Sequence, residues 1–151
     1  MKPSVEIERE NVVVEFDGPF RLDQFDRALS KDSGFGLYFL VDEEVPLDEF
    51  KPISKSVVYI GRAPYVGLRN RLRDHFSAMS SSNAHVTDAW GRLRARIGCD
   101  PSRLWFFVGK VTPSAIEDVI YSEVAFLQNY MKAELHHGQD KQLPEANKSD
   151  S

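Results

Sequence analysis

Ser56-Val57-Val58-Tyr59-Ile60-Gly61-Arg62 is an apolar run interrupted by one phenol and ended at a glycine. It reads as a strand, with Val58 and Ile60 on one face and Val57, Tyr59 and Gly61 on the other. Upstream, Phe35 to Val41 alternates strictly: Phe35, Leu37, Phe39 and Val41 share one face, and Gly36, Tyr38 and Leu40 the other. Asp42 to Lys55 between them is polar and holds Pro46 and Pro52, so it reads as a loop or extended excursion. Two strands joined by one loop are most simply antiparallel neighbours. Each brings one tyrosine to the pair.

Downstream, Leu68, Leu72, Phe76 and Met79 make an apolar stripe at helical spacing. Arg71 and His75 stand one turn apart beside that stripe. Ser80-Ser81-Ser82-Asn83 is a loop. A second helix follows, with Val86, Ala89, Trp90, Leu93 and Ile97 inward, Arg92, Arg94 and Arg96 mostly outward, and Gly98 as its stop. Leu104 to Val111, with Trp105, Phe106, Phe107 and Val108, is the most apolar run and reads as a central strand. A last long helix opens at Thr112-Pro113-Ser114, with Ser114 as N-cap and Glu117 at capping-box spacing. Its expected inner face is Ile116, Val119, Ile120, Val124, Leu127 and Met131. Glu123, three after Ile120 and four before Leu127, falls on that face and needs a partner there, because a lone buried charge is very costly. Such a glutamate is either a rim residue paired to an arginine or a metal or catalytic group.

Towards the N-terminus, Val12-Val13-Val14-Glu15-Phe16 reads as a strand ended by Asp17-Gly18-Pro19. Phe20 to Leu29 shows a helical pattern of Leu22, Phe25, Ala28 and Leu29, broken at Asp32-Ser33-Gly34. The reading is one α+β fold: a small, mainly antiparallel sheet of about three core strands flanked by helices, with an N-terminal strand-helix extension. Residues 1–33 are that extension, 34–147 the main domain, and 148–151 a frayed tail.

The 151 residues carry a net charge of -4, but unevenly: residues 1–50 hold 5 basic and 13 acidic side chains, and residues 51–103 hold 10 basic and 3 acidic. A basic middle third can hold a phosphate chain even in an acidic protein; it can equally be a solvated arginine-rich helix face. The acidic first third would repel DNA and is expected away from any cleft. One cysteine, Cys99, excludes an internal disulfide framework and a thiolate metal cluster. The opening residues lack the apolar core of a secretory signal, and no apolar run nears the roughly 18 residues of a membrane span. A cytoplasmic protein with no membrane segment is expected.

In order along the chain, Gly36-Leu37-Tyr38, Tyr59-Ile60-Gly61, Arg71, His75 and Glu123 resemble the GIY-YIG nuclease family. Leu37 stands for the central isoleucine of the first triad. The interval between the triads is longer than usual, Pro64-Tyr65-Val66-Gly67 lengthens the turn before the helix, and the residues ahead of Gly34 match nothing in the family core. The resemblance spans Gly36 to Asn147. It implies a metal-dependent endonuclease that hydrolyses phosphodiester bonds of DNA, with RNA left open. The family's catalytic set falls by position on Tyr38, Tyr59, Arg71, His75 and Glu123. Leu143-Pro144-Glu145-Ala146-Asn147 resembles the family's ending, which makes Asn147 the last site residue and Asn129 the runner-up. Arg62 holds the place of a polar residue that often follows the second triad, and His85 resembles an accessory histidine. With Arg69 and Arg92 these are the substrate-binding candidates.

Glu123 would hold one Mg²⁺ or Mn²⁺, since a single carboxylate suits a cation that keeps most of its waters. Arg71 would clamp the scissile phosphate. Tyr38 or Tyr59 would be the general base, if Arg62, Arg71 or the metal favour phenolate; His75 competes for the role. Gly61 would let the backbone clear the substrate. The alternative is an inactive GIY-YIG-like module that binds nucleic acid or a protein; the full residue set argues for the enzyme. Target choice would come from the N-terminal element, the 42–55 excursion, the arginine-rich helix, or a partner protein or oligomer.

Overall fold

The computed structural model describes residues 2–30, 34–63, 67–80, 88–113, 115–133, 135 and 143–147. The fold is α+β. Among the described residues five strands form one open antiparallel sheet: β1 (Ser4–Glu6), β2 (Val13–Arg21), β3 (Gly36–Val41), β4 (Val57–Ala63) and β5 (Trp105–Thr112), in the order β1-β2-β5-β3-β4. Helices α2 (Leu68–Ser80) and α3 (Asp88–Ile97), with the single turn α1 (Phe25–Ala28), are gathered with one apolar cluster, and α4 (Ile116–Lys132) with the other. No helix is long and apolar enough to cross a membrane, among the described residues.

The expected β3–β4 pair is present, with Tyr38 opposite Gly61 and Leu37 opposite Arg62. A register shift between Leu40 and Val41 leaves Val58 without a partner in the ladder. It corrects one expected face: Val57 and Ile60 share the α4-side core, whereas Val58 joins the α2-side core. β5, the most apolar run, is the central strand, between β2 and β3.

The sheet has five strands rather than about three, because the N-terminal part supplies two of them. β2 does not end at Asp17-Gly18-Pro19 but runs to Arg21 through an irregularity between Asp17 and Phe20. Gly18 sits at φ 137°, and a Cβ there would press on Phe106 O and the Phe107 ring. A turn signal is thus used as a bulge, where proline forfeits no regular ladder bond. β1 covers only Val13 to Glu15 of β2. The expected helix over Phe20 to Leu29 shrinks to a tight turn, Leu22–Gln24, and α1, yet Leu22 and Leu29 are buried as their pattern implies. Ser4–Glu6 and Val13–Arg21 thus belong to the same sheet as the later strands; the tail 148–151 lies outside the described residues.

The 42–55 excursion contains one tight turn, Leu47–Glu49, and buries Phe50, whose ring stacks on Phe107 at 3.9 Å. In α3, Leu93 and Ile97 are buried, and Gly98, at φ 83°, ends the helix. Val86 lies outside the described residues, as do the side chains of Ala89 and Trp90.

α4 is turned relative to its expected face. Val119, Ser122, Phe126 and Tyr130 are buried, whereas Ile116, Val124 and Met131 are each about two-fifths exposed. Two large rings outweigh the aliphatic stripe, because an aromatic side chain buries 150–250 Å². Phe126 meets Phe16 and Phe39 edge to face, and Tyr130 donates to Val57 O at 3.4 Å. Burial pushes the Tyr130 phenol up to about 12. Ser114 lies outside the described residues; Ala115 occupies the N-cap position, with no side-chain bond to the helix.

Candidate active site

Cross-strand geometry builds the site first. Tyr38 faces Gly61, and two residues back on β4 Tyr59 shares the same face. The phenol rings stack at 5.8 Å and 16°. Any Cβ on Gly61 would overlap the Tyr38 ring. The glycine is therefore required to seat a tyrosine.

α2 supplies the next layer. Leu68, Leu72 and Met79 anchor it in the α2-side core, which leaves Arg71 and His75 one turn apart at the stripe's edge. The His75 ring lies 5.1 Å from Tyr38 and 4.5 Å from Tyr59, and its Nε2 is 2.8 Å from Tyr38 Oη.

The two tyrosines also share a hydrogen bond, which raises the Tyr38 pKa and lowers that of Tyr59. Tyr38 Oη and His75 Nε2 share their bond, with the donor set by the imidazole tautomer. His75, Tyr38 and Tyr59 are thus linked in one run of contacts.

Burial dominates the electrostatics. It pushes Tyr38 well above the usual phenol value, ahead of Tyr59, while Arg71 opposes it weakly. Tyr59 is raised too, again by burial first, with the Tyr38 bond, Arg71 and Arg62 pulling it back. Of the cations expected to favour phenolate, Arg71 at both phenols and Arg62 at Tyr59 are outweighed by desolvation. Burial, with Arg71 beside it, lowers His75 to about 4, so the imidazole is neutral at neutral pH.

Glu123 reaches the cluster from the other side of the sheet. Arg62, opposite Leu37, points towards α4, and its Nη1 donates to Glu123 Oε1 at 2.9 Å. Burial raises the Glu123 carboxyl, while Arg62 and then Arg71 counter it. The charge of Glu123 is felt at both tyrosines, and that of Arg71 at Tyr38, Tyr59, His75 and Glu123. Tyr38, Tyr59, Arg62, Arg71, His75 and Glu123 thus form one electrostatic unit drawn from β3, β4, α2 and α4.

The remaining candidates separate. Asn147 is at the outer edge of β4. Its Oδ1 accepts from Ile60 N and its Nδ2 donates to Ile60 O, both at 2.9 Å. Ala146 N adds a bond to Val58 O at 2.7 Å. With its amide committed to main chain, Asn147 positions the strand that carries Tyr59. Sequence spacing carries no sign of this, nor of Arg96, whose Nη2 ties Glu145 and Asp42 at 2.6 and 3.1 Å and so braces the same segment. Asn129 is exposed and lines a groove between β1 and α4, away from the tyrosines. Arg69, half-buried, is rotated by about 200° around α2 from Arg71. Arg92 is exposed on α3, and among the described residues no ion pair or hydrogen bond joins it to the cluster. His85 lies outside the described residues.

For a metal, the donor set is one carboxylate. Among the described residues no group of three or more His, Cys, Asp or Glu side chains converges. That set does not fit a closed protein cage for zinc. It fits a hydrated Mg²⁺ or Mn²⁺ that takes one carboxylate and completes its shell with water and substrate phosphate. Compared with protein-family models, curated proteins and solved structures, the chain matches none.

Proposed function

We propose that the protein is a GIY-YIG-type endonuclease that hydrolyses phosphodiester bonds of DNA with a divalent metal. The observation that carries the reading is the contact of Tyr38, Tyr59 and His75, with Arg71 one helical turn from His75 and Glu123 paired to Arg62 of the Tyr59 strand, residues separated by up to 85 positions. Structural packing does not require it: two phenols and an imidazole in a buried or half-buried cluster destabilise the fold unless each is satisfied.

Arg71 holds the scissile phosphate by its planar fork and stabilises charge that develops on it. Among the described residues no carboxylate is within ion-pair distance of Arg71, which leaves its donors for an anion. Tyr59 takes the proton of the attacking water. It is less buried than Tyr38, and its bond with Tyr38 favours its anion. Tyr38 holds that bond, and neutral His75 holds Tyr38. A divalent cation bound at Glu123 would supply Lewis-acid stabilisation of the leaving 3′ oxygen.

The test is a cleavage panel of supercoiled, linear, branched and single-stranded DNA, with RNA in parallel and Mg²⁺ or Mn²⁺ varied. Cleavage should need metal, and Glu123→Gln should reduce it by about 10³-fold, the scale of losing a major transition-state contact. Intact substrates throughout, with salt-sensitive binding that survives Glu123→Gln, would replace this reading by a non-cutting nucleic-acid module.

A further inference from the structure

Glu123 is the carboxylate that bears on the tyrosine pair, and Arg62 already holds it. The pair is 2.9 Å long, with Glu123 16% and Arg62 37% exposed. Among the described residues, two guanidinium charges, Arg62 and Arg71, act on this one carboxylate. The local balance is positive. A dication arriving alone must displace Arg62 from its partner and then sit beside two cations in a half-buried setting, where repulsion is poorly screened.

A phosphate arriving first meets the opposite conditions. Both arginines attract it. Its two free oxygens offer the planar fork of Arg62 a bidentate partner at least as good as Glu123. It also brings the negative charge that a dication needs. Arg62 is free to make the exchange: its backbone is fixed opposite Leu37, but its side chain is more than a third exposed and swings without moving the strand.

We propose that Arg62 gates Glu123: nucleic-acid phosphate draws Arg62 off the carboxylate, and Glu123 then takes the divalent cation. Phosphate and metal fill the site in that order, and each tightens the other by the same factor. The gate rests on the nuclease reading and adds a regulation to it. A site filled this way holds no activated metal until a backbone phosphate lies across it.

The experiment is titration of Mn²⁺ into the full chain, with free Mn²⁺ followed by electron paramagnetic resonance, alone and with a cleavage-resistant phosphorothioate duplex at low salt. The same titration on Glu123→Gln subtracts the cations that DNA itself holds. The duplex should raise the Glu123-dependent affinity about tenfold, a typical coupling. Arg62→Gln alone should bind Mn²⁺ about tenfold tighter than the unaltered protein alone, with little further gain from DNA. Arg62→Lys, which keeps the charge, should stay close to the unaltered protein and exclude a folding artefact. Equal Mn²⁺ affinity with and without duplex, unmoved by Arg62→Gln but lost in Glu123→Gln, overturns the gate and leaves the metal site standing. Mn²⁺ uptake indifferent to Glu123→Gln in every arm, or no duplex binding at all, overturns the gate and the nuclease reading together.

Discussion

Alternate residues of β3 enter two opposed environments. Leu37, Phe39 and Val41 face a dry lattice in which Phe16, Phe39, Phe50 and Phe126 meet largely edge to face. Tyr38, between them, faces Tyr59 and His75. Both environments are aromatic and both exclude water. They differ in that the α2 side, beside the Phe25–Phe76 and Phe20–Phe106 contacts, seats three rings that carry polar atoms, Tyr38, Tyr59 and His75. The α4 side maximises contact, and the α2 side seats polar atoms among its rings at some expense in stability.

The largest expected effect breaks that contrast if it is wrong. Phe39→Ala should cost about 3–5 kcal/mol in urea denaturation, the range for removing a buried ring. Tyr38→Phe, which keeps the ring and deletes one hydroxyl, should cost no more than about 1.5 kcal/mol. Similar losses for the two would show that both faces are ordinary core.

The pH dependence of stability is the next in size. His75 binds a proton at 6.5 when unfolded and only at about 4 when folded. Between those values the unfolded chain holds a proton that the folded chain refuses, so stability is full above 6.5 and falls as the pH drops towards 4. From pH 7 to pH 5 the loss assigned to His75 is about 2 kcal/mol. Denaturation midpoints of the unaltered protein and His75→Phe at both pH values should differ by that slope. Parallel profiles would place His75 in contact with solvent and out of the cluster.

The smallest effect sharpens how the polar face is held. Asn147→Ala should cost about 1 kcal/mol. It should also speed amide exchange at Ile60 far more than at Phe39, because it opens the outer edge of β4 and leaves the inner ladder intact. Equal acceleration at both would mean that Asn147 supports the whole sheet rather than the Tyr59 strand.

Much of this was legible because it is local. Period-two alternation marks β3 and β4, and a helical stripe places Arg71 beside His75. What escaped depends on partners far away. Asp17-Gly18-Pro19 carries every sign of a turn, and only the passage of β5 alongside it makes it a bulge. The α4 stripe of Ile116, Val124 and Met131 is a valid amphipathic pattern; Phe126 and Tyr130 prevail because Phe16, Phe39 and the β4 main chain are waiting for them. Pairing of Arg62 with Glu123 follows from the strand pleat, which sends residue 62 to the face opposite residue 61. The direction of the tyrosine pKa shifts needs burial, which spacing does not contain.

The bracing of β4 by residues 143–147 also sets a clock. Ile60 and Asn147 are 87 positions apart. A ribosome adding about 5–20 residues per second emits the second roughly 4–17 s after the first. Throughout that interval the strand bearing Tyr59 has a bare outer edge, open to pairing with a neighbouring nascent chain on the same message. Translation speed between these two positions therefore bears on how much of the newly made protein reaches its finished form.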